Sequence, residues 1–138
     1  MPAPRFYDYA IVRVVPHVER GEFVNAGVIV WCSAAQYLRA RIELDEARVL
    51  ALAPGLDLAS IRSALAVIPA ICAGGPQAGP FESLSPRQRF DWLVAPRSAS
   101  IQTSPVHTGR CTDLDTALDK LVARMVRPPA AGAAAQAE

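Results

Sequence analysis

The segment from Val24 to Cys32 constrains the fold most, because every residue after Ala26 is apolar. A β-strand directs successive side chains to opposite faces of its sheet. A strand without polar side chains on either face is typical of a sheet centre that is covered on both sides. The segment therefore predicts a central, doubly covered strand.

Two further strand patterns lie close to this segment in the sequence. Residues 6–15 are rich in β-branched and aromatic side chains and end at Pro16, and residues 37–44 alternate between apolar and polar side chains. The connections between the three segments, residues 17–23 and 33–36, are short. Three strands joined in this way predict an antiparallel meander.

Helical patterns occupy most of the remaining sequence. Ser85 precedes a proline and Thr112 precedes an apolar stripe, so we assign both as helix N-caps. Pro69 is expected to kink or end the helix that contains it. In chain order, the patterns place helices at residues 45–52, 57–69, 85–94 and 112–126, and one more strand at residues 101–104. Strands followed by helices predict an α+β fold, a small antiparallel sheet covered by helices on one main face.

The chain has the length of a single domain, 138 residues, and 51% of them are hydrophobic. We assign residues 1–127 to one α+β domain. Residues 128–138 are Pro/Ala-rich and contain no large apolar side chain, so we expect a disordered tail. Three widely spaced cysteines, no secretory pattern and no apolar run near the ~20 residues of a membrane span predict a cytoplasmic protein without a membrane partner.

Two long blocks of the sequence carry a resemblance. They are FYDYAIVRVVPHVERGEFVNAGVIVWC, residues 6–32, and FDWLVAPRSASIQTSPVHTGRCTDLDTALDKLVARMV, residues 90–126. Both resemble the bacterial family catalogued as domain of unknown function 3037. The resemblance implies no assigned activity. It implies a small stand-alone bacterial protein and, because some similar proteins are encoded beside HipA-like kinase domains, a protein partner of that kind.

One face of the predicted meander is a candidate interaction surface. Its polar and aromatic side chains are Tyr7, Tyr9, Arg13, Tyr37, Arg39 and Arg41. Apolar residues of the middle strand share this face, so we expect a partner protein, a second copy or a covering helix on it. Single-stranded nucleic acid could stack on the same residues, but 14 basic against 13 acidic residues leave no excess to drive binding. Nucleic acid is therefore the less favoured partner.

A second candidate site precedes the last predicted helix. Hydroxyls, a glycine and arginines near a helix N-terminus favour an anion, and the residues concerned are Arg97, Ser104, His107, Thr108, Gly109 and Arg110. The catalytic candidates are the acid–base groups His17, Glu19 and His107. No nucleotide-binding fingerprint is present, and His107 with Cys111 has no second pair at metal-ligand spacing. We therefore predict no metal and no cofactor.

These observations favour a non-catalytic protein-interaction module or adaptor, which binds another protein or itself. The alternative is an enzyme or binder that acts on a phosphorylated or anionic small molecule or nucleotide. The two interpretations predict different geometries. A pocket shared by residues 17–23 and residues 104–110 would favour the enzyme, whereas an exposed apolar sheet face would favour the interaction module.

Truncation after Arg127 is expected to leave stability nearly unchanged, because residues 128–138 carry no large apolar side chain that could join a core. Thermal unfolding of the truncated and the full chain, followed by circular dichroism, measures the difference. A clearly lower melting temperature for the truncated chain would show that the tail docks on the domain.

Overall fold

The computed structural model describes residues 3–129, and its centre is an antiparallel sheet. The strands are β1 (Arg5–Val14), β2 (Val24–Cys32), β3 (Tyr37–Ile42), β4 (Ile101–Thr103) and β5 (His107–Cys111). The α-helices are α1 (Glu46–Leu52), α2 (Leu58–Ala73), α3 (Pro86–Leu93) and α4 (Leu114–Met125). Short 3-10 helices cover Val18–Arg20 and Pro76–Phe81. The predicted α+β fold and N-terminal meander are confirmed, whereas the predicted tail lies outside the described residues from position 130 onward.

The sheet order is β3-β2-β1, with β4 and β5 both paired to the far side of β1. β5 pairs with the first half of β1, and β4 pairs with its last three residues. Between them, Ser104 bonds β1 twice: its N–H donates to the Ile11 carbonyl at 2.8 Å, and its hydroxyl accepts the Ile11 N–H at 2.8 Å. β4 and β5 therefore act as one interrupted strand, and β3 forms the opposite edge of the sheet.

An extra residue in β2 changes which side chains face which layer. Val12 pairs with Gly27 and Arg13 pairs with Asn25, so Ala26 has no partner on β1 and forms a β-bulge. Beyond the bulge, Ile29 and Trp31 face the same core as Val24 and Ala26, while the alternate residues Val28, Val30 and Cys32 face the other core. The bulge therefore shifts the alternation by one residue, so that even-numbered residues face the first core before it and odd-numbered residues face that core after it.

Helices cover both faces of this sheet. One core lies between the sheet and α1, α2 and α3, and it includes Leu65, Ile71 and Phe90. The other core lies under α4, whose Leu118 and Val122 pack on the β2 face described above. The double coverage predicted for β2 is confirmed. The prediction of one main covered face is wrong, because the chain after β5 crosses to the second face and places α4 there.

The helix ends follow the local chemistry, with two departures from the predictions. Ser85 caps α3 in a full capping box with Gln88, as its sequence indicates. The N-cap of α4 is Asp113, which accepts the N–H of Thr116, and not the predicted Thr112. α2 continues through Pro69 to Ala73, because its last turn is buried in the core. Within residues 3–129, none of the helices is long and apolar enough to cross a membrane.

Leu121→Ala should lower the free energy of unfolding by about 2–5 kcal/mol, because the Leu121 side chain is buried in the core under α4. Lys120→Ala is the matched control, since the adjacent side chain is exposed. Urea unfolding of both variants measures the two losses. Equal, small losses would mean that α4 does not pack on the sheet as described.

Gly27→Ala should destabilise the fold by about 1–3 kcal/mol, because the added methyl needs space that the core lacks. A Cβ at Gly27 would lie 2.6 Å from the carbonyl oxygen of Arg41 and 2.6 Å from the Ile42 Cδ1 atom, so β2 and β3 must separate. Gly55→Ala is the control, because nothing lies within 4 Å of its added Cβ. Comparable melting temperatures for the two variants would contradict this close approach.

Candidate functional site

The candidate face of the meander is covered by α4. On β3, the Tyr37 hydroxyl donates to Asp115 at 2.7 Å, the Arg39 guanidinium pairs with Asp115 at 3.1 Å, and Arg41 pairs with Asp119. Burial and the Asp115 carboxylate raise the pKa of the Tyr37 hydroxyl, which keeps it a neutral donor. These exposed contacts bridge β3 and α4 beside the apolar core that packs α4 on the sheet, so the sheet face is not open.

The three candidates on β1 also have partners within the fold. Tyr7 is buried in the core under α4 and lies against Gly109, where a Cβ would come within 2.4 Å of the Tyr7 ring. The Tyr9 ring lies 5.5 Å from the His107 ring. The Arg13 guanidinium lies 4.1 Å from the centre of the Phe23 ring. Of the alternatives that the sequence left open for this face, the structure places a covering helix there.

The predicted anion site is not assembled. His107, Thr108, Gly109 and Arg110 belong to β5 and pair with β1, so the prediction of a connection in front of a helix is wrong at these positions. Strand pairing occupies their backbone on one side, and the Thr108 hydroxyl bonds Asp8 at 3.2 Å. The N-terminus of α4 already carries an anionic cap in Asp113.

The remaining anion candidates lie elsewhere. Ser104 is buried, with its hydroxyl engaged by β1 as described above. The Arg97 guanidinium lies 4.3 Å from the centre of the Trp92 ring, beside a hollow lined by α2, α3 and β4. Arg110 instead lines a hollow beside α4, together with Lys120 and Arg124. The two arginines are therefore on different sides of the sheet.

The acid–base candidates do not share a pocket either. His17 and Glu19 lie beyond the end of β1, where His17 lines a hollow with residues 52–57. His107 pairs with Tyr9, which is five residues before Val14, roughly 16 Å along a strand. In residues 3–129, no three His, Cys, Asp or Glu side chains are grouped to hold a metal ion. The geometry that would favour an enzyme at these residues is absent from the described chain.

A groove of about 620 Å³ follows the outer edge of β3. Its walls come from the end of α2, the first turn of α3 and α4, and its floor is β3 itself. The charged side chains that line it are three arginines, Arg39, Arg41 and Arg89, and no carboxylate lines it. The groove therefore combines strand backbone with positive charge.

The backbone of β3 is unpaired on the groove side among the described residues. The N–H of Glu43 donates to Ala26 of β2 at 2.8 Å. Because antiparallel pairing alternates, the N–H and C=O groups of Leu38, Ala40 and Ile42 point away from β2. An open edge of this kind is a template on which another extended chain can pair.

Arg89 is the unusual residue of the groove. Its side chain, on α3, is only 9% exposed. Its Nη1 donates to the Leu84 carbonyl at 2.7 Å, but its buried Nε has no hydrogen-bond partner in residues 3–129. None of the ion pairs of that part of the chain includes Arg89. A buried guanidinium without a counter-ion is costly, so its presence requires a reason.

No acidic side chain of residues 3–129 forms an ion pair with Arg89. The guanidinium packs against Gly74 at the end of α2, where a Cβ would lie 3.2 Å from Nη2. Cys72 is nearby, but burial raises the pKa of its thiol to about 12, although the Arg89 charge acts to lower it. Cys72 is therefore a neutral thiol at neutral pH and cannot serve as the counter-ion.

Sequence reasoning missed both the groove and Arg89. The assignment of β3 as a strand did not show which side of it stays unpaired. Arg89 did carry a signal, because it lies four residues before Leu93 and next to Phe90, on the stripe of α3 that is buried. A charged residue on a buried stripe is rare without a partner.

Comparison with known proteins gives one match. A family model described as "Protein of unknown function (DUF3037)" matches residues 9–126, a range that reaches from β1 through α4. Searches of curated proteins and of solved structures give no match. Because the matched range covers most of the chain, with all of the second block that carried the resemblance and residues 9–32 of the first, this protein belongs to the DUF3037 family.

Proposed function

We propose that this protein is an interaction module that binds an extended segment of a partner protein along β3. The observation that carries the proposal is the unpaired outer edge of β3, which opens into a groove large enough for a chain. Recognition by strand addition uses main-chain hydrogen bonds for affinity and pockets for alternate side chains for specificity.

The groove provides both elements of such recognition. The outward N–H and C=O groups of Leu38, Ala40 and Ile42 would pair with the backbone of the segment. Alternate side chains of the segment would then point towards the α2–α3 wall and towards α4. Binding in this way extends the sheet by one strand and requires no rearrangement of the core.

A partner of different sequence fits this edge better than a second copy does. In a two-fold antiparallel pairing of β3 with itself, registers centred on Arg39, Ala40 or Arg41 bring an arginine opposite an arginine. Like charges directly opposite each other destabilise strand pairs. Direct arginine–arginine pairs therefore act against self-association, an effect that the ion pairs of Arg39 with Asp115 and of Arg41 with Asp119 reduce.

The small-molecule alternative has less support from the geometry, because Arg97 and Arg110 lie on different sides of the sheet. Our proposal retains the bacterial, cytoplasmic setting that the sequence predicts, in which the thiols of Cys32, Cys72 and Cys111 are free. A HipA-like kinase, implied by the family resemblance, is the first whole protein to test as a partner.

Ala40→Pro should abolish binding of an extended segment, because proline removes an outward N–H from an edge position where it is tolerated. Ala40→Val is the matched control, since it keeps the N–H and favours a strand. Peptides selected with the full chain from a random peptide library displayed on phage supply the ligands. Calorimetry should show binding to the wild type and to Ala40→Val, but not to Ala40→Pro.

Hydrogen exchange gives a second measurement that does not depend on the proline variant folding. A bound peptide should slow exchange of the amides of Leu38, Ala40 and Ile42 in the wild type, since their outward N–H groups acquire partners. Peptides that protect a different surface would contradict the proposal. So would a library that yields no peptide protecting β3, or equal binding to all three proteins.

A further inference from the structure

Arg89 lies where a bound segment would pass. The sheet edge and the guanidinium line the same groove, and Arg89 reaches it from α3, on the wall opposite α4. A side chain of an added strand that points towards the α2–α3 wall would therefore meet this arginine. The groove thus places a buried positive charge beside an open template for a strand.

The Arg89 guanidinium is only partly satisfied. Nη1 is engaged by the Leu84 carbonyl, whereas Nε is buried and has no hydrogen-bond partner in residues 3–129. A guanidinium presents paired N–H groups that match the two oxygens of a carboxylate. Neutral peptide groups offer only one such oxygen.

Two carboxylates of α4 are engaged by the other arginines that line the groove. Asp115 pairs with Arg39 and Tyr37, and Asp119 pairs with Arg41. Both belong to α4, which lies on the other face of the sheet from α3. Because none of the ion pairs in residues 3–129 includes Arg89, its guanidinium is available to a carboxylate from another molecule.

We propose that the partner segment supplies a carboxylate that binds the guanidinium of Arg89 where this residue lines the groove, so that the groove selects acidic segments. This inference rests on the proposed function, because it assumes a strand added to β3. Arg39 and Arg41 add little to this selectivity, because Asp115 and Asp119 already pair with them. Arg89 is the groove-lining arginine that none of the ion pairs in residues 3–129 includes.

The carboxylate can belong to an acidic side chain or to the C-terminus of the segment, and the experiment separates the two. Each selected peptide is made with a free and with an amidated C-terminus, and with its aspartates and glutamates replaced by asparagine and glutamine. If amidation weakens binding, the carboxylate is the C-terminus of the peptide. If replacement of the aspartates and glutamates weakens binding, it is an acidic side chain. Inorganic phosphate and acetate are titrated separately as free anions.

Arg89→Met tests the residue, because methionine fills similar space without charge. Arg87→Met is the matched control, since Arg87 lies on the same helix but is exposed and paired with Asp91 at 3.3 Å. In the wild type and in Arg87→Met, neutralising the critical carboxylate should weaken binding about tenfold or more, as expected for a hydrogen bond to a charged group. In Arg89→Met, the acidic and the neutralised peptide should bind equally.

Stability provides a readout that does not depend on the peptide. Removal of an unpaired buried charge should leave the melting temperature of Arg89→Met unchanged or raise it. A marked loss of stability, together with unchanged discrimination between acidic and neutralised peptides, would assign Arg89 to the fold and overturn the inference.

The outcomes distinguish this inference from the proposed function. Peptides that protect β3 without any dependence on Arg89 would overturn the carboxylate site and leave strand addition intact. If no peptide protects β3, both fail. Phosphate or acetate that binds the wild type but not Arg89→Met, with no peptide binding, would make the groove a small-anion site and would also overturn the inference.

Discussion

The burial of β2 on both faces is the constraint on which the rest of the structure depends. Beyond the bulge, its side chains are apolar on both faces. Both faces must therefore be buried, which requires two separate helical layers. One layer consists of α1, α2 and α3. The other layer is α4, which the chain reaches by passing to the second face of the sheet after β5. The edges of the sheet then remain as the places where strand backbone can meet another molecule.

The layers also explain why the groove lies at β3. α4 is anchored to this strand by Asp115 and Asp119, and α2 and α3 pack on its opposite face. Both layers extend beyond the last strand of the sheet and form walls around its open edge. The other edge differs, because β4 and β5 are short and interrupted at Ser104, which shortens any template there. Long pairing is therefore available mainly at β3.

Local patterns predicted the elements better than they predicted their arrangement. The meander, β4 and the N-cap at Ser85 follow from alternation, β-branched content and helix-start chemistry, all of which act between near neighbours. β5 could not be predicted from local pattern, because its sequence HTGRC contains a glycine and few residues that favour strands. This segment becomes a strand by pairing with β1. The crossing of α4 likewise depends on tertiary packing. The predicted anion site required a loop before α4. It is not formed because these residues belong to β5.

Arg89 connects stability with the proposed recognition. A fold that buries a guanidinium without a counter-ion is less stable than one with an apolar side chain of similar size at that position. A ligand that supplies the missing carboxylate removes this penalty, and a ligand that binds only the folded state stabilises it further by mass action. The bound state therefore gains from both effects, whereas a neutral segment gains from strand pairing alone. In this way a charge that weakens the free protein increases the difference in affinity between acidic and neutral partners, which is the quantity that specificity requires.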